Sequence, residues 1–400
     1  MATRMSSTPV FLLLCGVGLC SFISYNLVRM PALAPFAESL GAGPVAVGFI
    51  VAASTITGIF IKLPMGALSD VVSRRRLMLL GVLAFALPPF AYPLVTDLEV
   101  LAGLRVIHGL ATAVFTPLVL ASVVAMYPLN RGAALGWYTS AAQGGALLGP
   151  MLGGWLVDTV GFSQTFLVGG GFGLAALALY ITIVFLHPEE TSPSQIDARE
   201  VWTNLRRGLK TVIEHAPMLA TSGAEAAKMM ANGTLMAFLP LYALSLGLSL
   251  AESGLLFGVQ GLTSFVSKPV MGRVSDRIGR RPLIILGLAI CGVTIMGIPL
   301  VTQLVPLLFL AAGFGFGEAV ITSSSAALIA DLAAPERVGA GMGLRGTIMD
   351  MGHAGGPVLA GVLVAAIGYT EAFLFIGALQ FMAAWGFWMI TCHQTAMQPV

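Results

Sequence analysis

The sequence predicts an all-α membrane protein in which twelve transmembrane helices form two pseudo-symmetric six-helix bundles. Three observations carry that expectation: the composition, a series of twelve apolar runs, and an internal repeat. Hydrophobic side chains make up 57% of the 400 residues and charged ones 10%, against roughly 25% charged in soluble domains. So few polar groups cannot cover a water-soluble surface. The formal net charge of +2 sets up no global field toward nucleic acid or an acidic substrate.

Crossing the hydrocarbon core takes about 20 apolar residues per helix. Runs of that order fall at 9–38, 45–69, 76–95, 98–127, 131–157, 163–186, 218–246, 251–272, 282–302, 304–331, 338–367 and 370–391. The first continues through 31–40 with no small-residue cleavage pattern, so it reads as a span and not as a signal peptide. The longest polar stretch, 187–217, separates six spans from six. It divides the chain into a first bundle (1–186), a cytoplasmic linker (187–217) and a second bundle (218–400). Within the linker, Val201, Leu205, Leu209 and Val212 recur at helical spacing beside Arg206, Arg207 and Lys210. That is the pattern of an amphipathic helix on the membrane face, with a solvated connector as the alternative. Cys15, Cys20, Cys291 and Cys392 show neither a CxxC pair nor His at ligand spacing, so they read as small hydrophobes and predict no metal site.

Orientation follows from the basic residues. Segments on the side of the amino terminus hold Arg4, Arg74, Arg75, Arg76, Arg131, Arg199, Arg206, Arg207, Lys210, Arg273, Arg277, Arg280, Arg281 and Arg337, 14 of the 20 Lys and Arg. The opposite connectors hold none, and carry Glu38, Asp97, Glu99, Asp158, Glu252 and Glu371. The bias places both termini and the linker in the cytoplasm.

Shifting the chain by 206 residues aligns 41–81 with 247–287 without a gap, and 13 of the 41 positions are identical. Gly48/Gly254, Lys62/Lys268, Gly66/Gly272, Asp70/Asp276 and Arg74/Arg280 are among them. Two parallel repeats with a binding site between them are an arrangement of transporters, in which one half rocks against the other.

Four segments carry a family resemblance. Gly66-Ala67-Leu68-Ser69-Asp70-Val71-Val72-Ser73-Arg74-Arg75-Arg76 and its fuller copy Gly272-Arg273-Val274-Ser275-Asp276-Arg277-Ile278-Gly279-Arg280-Arg281 follow spans two and eight. Leu101-Ala102-Gly103-Leu104-Arg105-Val106-Ile107-His108-Gly109 lies in span four. Gly145-Ala146-Leu147-Leu148-Gly149-Pro150-Met151-Leu152-Gly153-Gly154 lies in span five. Together they resemble the loop signature, the intramembrane arginine motif and the antiporter motif of the major facilitator superfamily. Val71 and Ser73 replace the family's basic residue and glycine, which leaves the ion-pair network of the first loop less defined. The resemblance implies alternating access, and its antiporter motif implies a drug:proton antiporter.

Candidate residues follow from depth and chemistry. Ionisable groups deep in a span are costly and therefore point to function. At about 1.5 Å per residue, Glu318 lies roughly 21 Å into span ten, Asp350 roughly 18 Å into span eleven and His108 roughly 15 Å into span four. His353 follows Asp350 at i+3 and can share a proton with it. Glu318, Asp350, His353, Arg105 and His108 are thus the proton-coupling candidates. The competing reading of the two acids is static pairing with Arg345, Lys228 or another buried base. Asn26, Arg29, Glu225, Lys228 and Asn232 are candidates for binding substrate, with Glu225, Lys228 and Asn232 on one helical face, where an internal ion pair is the alternative. Phe115, Trp137, Tyr138 and Phe316 can offer aromatic surface or simply face lipid. For gating, the repeat suggests that Asp70 approaches the start of span eleven near Arg337 and Asp276 the start of span five near Arg131, with Gly66, Arg74, Gly272 and Arg280 in the same loops. Gly149, Pro150, Gly153, Gly154 and Pro357 are candidates for close packing and helix bending.

No phosphate loop, HExxH or kinase-type set is present, so no enzyme activity, ATP use or cofactor is expected. The expected activity is export of a small organic molecule against the inward movement of protons. The expected partners are that substrate, protons and the lipid bilayer, with no nucleic acid, in a monomer of a bacterial cytoplasmic membrane. A facilitator or symporter for a metabolite or organic anion, drawing on Arg29 and Lys228, and a non-transporting receptor are the alternatives.

Overall fold

The computed structural model describes residues 7–68, 73–186, 215–332 and 338–395. The linker with its expected amphipathic helix, Asp70 and Arg337 lie outside the described residues, apart from the last three linker positions. Among the described residues every regular element is helical. The helices, numbered along the chain and not by span, are α1 (Ser7–Leu27), α2 (Leu33–Ser39), α3 (Pro44–Leu68), α4 (Arg74–Ala86), α5 (Pro88–Ala91), α6 (Leu98–Met126), α7 (Arg131–Leu186), α8 (Ala216–Ser245), α9 (Leu250–Ile278), α10 (Arg280–Gly297), α11 (Leu304–Leu332) and α12 (Val338–Thr395). A π-helical turn, Val28–Ala32, joins α1 to α2 around Pro31.

Eight helical stretches of the described residues are long and apolar enough to cross a membrane. Two of them are double. α7 has 56 residues and departs from helical backbone at Gly161 (φ 82°), and α12 has 58 and departs at Gly368 (φ 87°). Positive φ is a region that glycine enters without the cost a Cβ imposes, so these glycines separate spans five from six and eleven from twelve. α8 and α9, of 30 and 29 residues, are long enough to span and are not among the eight. The count of twelve is reached with them and with the two divisions. The repeat is visible in the backbone as well, since Gly41 (φ 89°) and Gly247 (φ 80°), 206 residues apart, make the same turn before α3 and α9.

Packing groups the chain into two units. Unit 1 comprises Met1–Gly41, Ile56–Ala198 and Ser249–Gly254, and unit 2 comprises Ala42–Thr55, Arg199–Leu248 and Leu255–Val400. Each therefore contains one helix start from the other half of the sequence. In unit 1, Phe11, Leu14, Val17, Phe85, Phe115 and Tyr138 build the core. The glycines of span five run down the α7 face that meets α1. A Cβ at Gly149 would lie 2.8 Å from Asn26 Cβ, and one at Gly153 would lie 2.7 Å from the Leu27 carbonyl oxygen. Only hydrogen at these positions lets the two backbones approach so closely. Unit 2 repeats the device, with Gly352 and Gly356 of α12 against the backbone of Ala226 and Met230 in α8. Pro150 and Pro357 sit inside helical backbone, and the departures from it fall at Gly161 and Gly368. In unit 1 the Asp158 carboxylate accepts the N–H groups of Leu250 (3.2 Å) and Ala251 (2.7 Å), satisfying first-turn donors of α9.

A methyl group at Gly149 must displace backbone. Gly149→Ala is expected to cost about 1–3 kcal/mol and to lower the midpoint of thermal unfolding in detergent. Gly136→Ala, on the same helix where an added Cβ meets nothing within 4 Å, is expected to leave it unchanged or slightly raised.

Candidate functional site

In unit 2 the faces of three helices place a charged network inside the bundle. On α8, Glu225 and Lys228 are one turn apart, and their side chains are 0% and 1% exposed. Lys228 Nζ lies 2.9 Å from Glu225 Oε2, without hydrogen-bond alignment, and donates to Thr322 Oγ1 of α11 at 2.9 Å. The other carboxylate oxygen, Oε1, accepts from Arg345 of α12 at 2.5 Å and from the Ser325 hydroxyl of α11 at 2.6 Å. One acid thus holds two bases, and the three groups sum to one positive charge. Asn232, a further turn along α8, accepts from Gln260 of α9 at 3.2 Å.

Glu225, Lys228 and Asn232 do share a face, and Glu225 with Lys228 forms the internal pair that was the alternative to a free binding site. Arg345 and Lys228, the bases set against Glu318 and Asp350, are both engaged by Glu225. Among the described residues Glu318 is half-buried on α11 and makes no hydrogen bond or ion pair. It lies one turn before Thr322 and two before Ser325, on the α11 face that meets α8. Asp350 is buried, and His353 follows half-buried one turn on.

Unit 1 has a different interior. Arg105 and His108 of α6 are both fully buried. Arg105 donates to the Tyr92 hydroxyl at 3.3 Å, and that hydroxyl lies 3.1 Å from His108 Nδ1. With the guanidinium donating to Tyr92, the phenol proton is directed at Nδ1. The imidazole proton then sits on Nε2, which has no hydrogen-bond partner among the described residues. The guanidinium carbons of Arg105 and Arg29 lie 5.9 Å and 5.5 Å from the centre of the Tyr25 ring, so one aromatic ring serves two cations. Asn26 donates one side-chain N–H to the Phe22 carbonyl of its own helix at 2.9 Å. Sequence reasoning missed Tyr92 and Tyr25. The i+4 spacing of Tyr25 and Arg29 was a usable signal, whereas Tyr92 reaches the site only because a 3-10 turn, Tyr92–Leu94, ends the preceding span. Phe115 and Tyr138 belong to the core and Trp137 is exposed.

Of the gating residues, Asp276 pairs with Arg280 at 2.5 Å, and Arg280 also reaches Asp331 at 3.1 Å. Arg131 donates to the Pro128 carbonyl at 3.1 Å. Around Gly272 a Cβ would meet nothing within 4 Å. Gly66 lies within α3, and Arg74 opens α4.

Paired helical repeats with ionisable groups inside each unit define a polytopic transporter. The Major Facilitator Superfamily model matches residues 14–227 and 221–397, and the chain belongs to that superfamily. It is an integral membrane protein of a family of transporters of small molecules, not of enzymes. It is 24% identical over 350 residues to an uncharacterized MFS-type transporter of Methanocaldococcus jannaschii, covering 86% of this chain and 89% of that one. It is 26% identical over 325 residues to the multidrug resistance protein MdtG of Proteus mirabilis, covering 79% and 78%. A homolog of the multi-drug resistance efflux pump PmrA in Lactococcus lactis is 25% identical over 312 residues, covering 77% and 75%. Among solved structures, a bacterial homolog of the human lysosomal transporter Spinster superposes with a TM-score of 0.77 at 15% identity, covering 97% and 99%. A POT family transporter superposes with a TM-score of 0.79 at 14% identity, covering 96% of each chain. These two share the fold.

Replacing Glu225 by Gln would leave two buried cations facing each other. Breaking such a group by removing one partner costs about 3–5 kcal/mol. Glu225→Gln is therefore expected to lower the thermal midpoint more than the double variant Glu225→Gln/Lys228→Met, which restores the original charge sum. A double-mutant cycle on the purified protein measures that difference.

Proposed function

We propose that the protein is a proton-coupled antiporter that exports a small organic molecule by alternating access, and that Glu318 is its principal proton carrier. The carrying observation is the contrast between two carboxylates of unit 2. Glu225 is committed to Lys228, Arg345 and Ser325, whereas Glu318 has neither a hydrogen bond nor an ion pair among the described residues. An acid inside a membrane span with no base committed to it is costly and marks a position kept for function. Asp350, with His353 at i+3, is the second carrier. The Arg105–Tyr92–His108 chain keeps the first bundle polar and holds His108 in one tautomer. The relatives named as multidrug efflux pumps support an organic substrate and the outward direction.

In this reading Asn26, Arg29, Glu225, Lys228 and Asn232 set the polarity around the substrate. The loops with Gly66, Asp70, Arg74 and Arg131, and with Gly272, Asp276, Arg280 and Arg337, gate the cytoplasmic side. The termini lie in the cytoplasm of a bacterial cell, which the 14-to-none distribution of basic residues supports. The unit of function is one chain. A second reading, a facilitator or symporter for an organic anion, draws on Arg29 and Arg105 around Tyr25.

The test is substrate-induced proton movement in proteoliposomes, with organic cations, anions and neutral metabolites as substrates. Proton efflux coupled to substrate uptake is expected for the wild type, reduced to background in Glu318→Gln and strongly lowered in Asp350→Asn. Substrate flux with no proton signal, unchanged in both variants, would establish the facilitator instead.

A further inference from the structure

The two repeats treat their matching loop arginines differently. In unit 2, Arg280 is saturated by acids of its own chain: Asp276 at 2.5 Å and Asp331 at 3.1 Å, with the Ser275 hydroxyl at 3.2 Å. Its repeat mate 206 residues earlier is Arg74, and the position matching Asp331 is Ala125, which brings no charge. Arg74 Nε is buried and has no hydrogen-bond partner among the described residues, and Asp70, which matches Asp276, lies outside them. The neighbouring pair is alike in both halves: Arg281 donates to the Thr391 carbonyl at 3.0 Å, and Arg75 donates to that of Val184. What unit 1 has in place of the missing acid is a cavity of about 160 Å³, lined by Val10, Leu14, Arg74, Met78, Met126 and Ile183 among others. These residues come from the start of span one, the start of span three, and the ends of spans four and six. All of those ends lie on the side rich in Lys and Arg.

We propose that this cavity is a site for an anionic phospholipid of the cytoplasmic leaflet, with the headgroup phosphate on Arg74 and the beginning of one acyl chain among the apolar lining residues. The guanidinium fork matches a phosphate geometrically. An apolar pocket beneath a basic residue at this membrane level distinguishes a lipid from a free anion, which has no use for the methionine, leucine and isoleucine walls. Basic pockets between helices on the cytoplasmic side are a recognised form of lipid site. The bound phosphate would supply in unit 1 the negative charge that Asp331 supplies in unit 2. The inference rests on the membrane orientation given above and not on proton coupling.

The experiment is thermal unfolding of the purified full-length protein in detergent, titrated with phosphatidylglycerol, phosphatidylcholine or glycerol 3-phosphate. Phosphatidylglycerol is expected to raise the midpoint by about 5 °C at saturation, with little change from the other two. Arg74→Gln should lose that increment. Ala125→Asp installs the acid of the second repeat and should lose it too, with a midpoint in lipid-free detergent at or above that of the wild type. This variant decides the matter even if Arg74→Gln fails to fold. An increment that persists in Ala125→Asp, or one that phosphatidylcholine matches, would overturn the proposal. A full response to glycerol 3-phosphate would overturn the lipid in favour of a free anion.

Discussion

The constraint on which the rest of the structure depends is the cost of placing charge in hydrocarbon. Glu225, Lys228 and Arg345 come from two different helices of unit 2, and each would be expensive alone. Together with Ser325 and Thr322 they tie α8, α11 and α12 to one another at a depth where lipid offers no partner. A single carboxylate satisfies two bases, and that economy has a consequence. The remaining acids of the same bundle are not needed as counter-ions to those bases, and among the described residues Glu318 makes neither a hydrogen bond nor an ion pair.

Unit 1 meets the same constraint by other chemistry. Its spans contain Arg29, Arg105 and His108 but no acid away from their ends. The phenol of Tyr92 and the ring of Tyr25 take the place that carboxylates occupy in unit 2. The two repeats therefore preserve the frame and diverge in the polar groups that fill it. The frame itself rests on backbone contact. α1 meets α7 across Gly149 and Gly153, as α8 meets α12 across Gly352 and Gly356, and glycine allows an approach that any side chain would prevent.

Much of this architecture is legible in the sequence because its causes are local. Apolar run length, the excess of Lys and Arg on one side and the 206-residue repeat each follow from residues read in order. Periodicity put Glu225, Lys228 and Asn232 on one face correctly. It could not say what stands opposite that face, because Ser325 and Arg345 lie 100 and 120 residues away, and serine or arginine in a membrane helix has many uses. The pairing of Arg105 with Tyr92 was hidden for a related reason, since a tyrosine at the end of a span ordinarily marks the membrane interface. Proline marked the middle of span five, yet the departure from helical backbone comes eleven residues later at Gly161, where the chain must reverse between two spans.

The central claim is that Glu225 stays ionised between its two bases while Glu318 takes up and releases the proton. Infrared difference spectroscopy of the reconstituted protein, titrated from alkaline to acid pH, reads the carbonyl stretch of a protonated carboxylic acid directly. The account predicts a glutamic acid band that grows as pH falls, disappears in Glu318→Gln and persists in Glu225→Gln/Lys228→Met. A band that survives in Glu318→Gln and vanishes with the Glu225 replacement would contradict it.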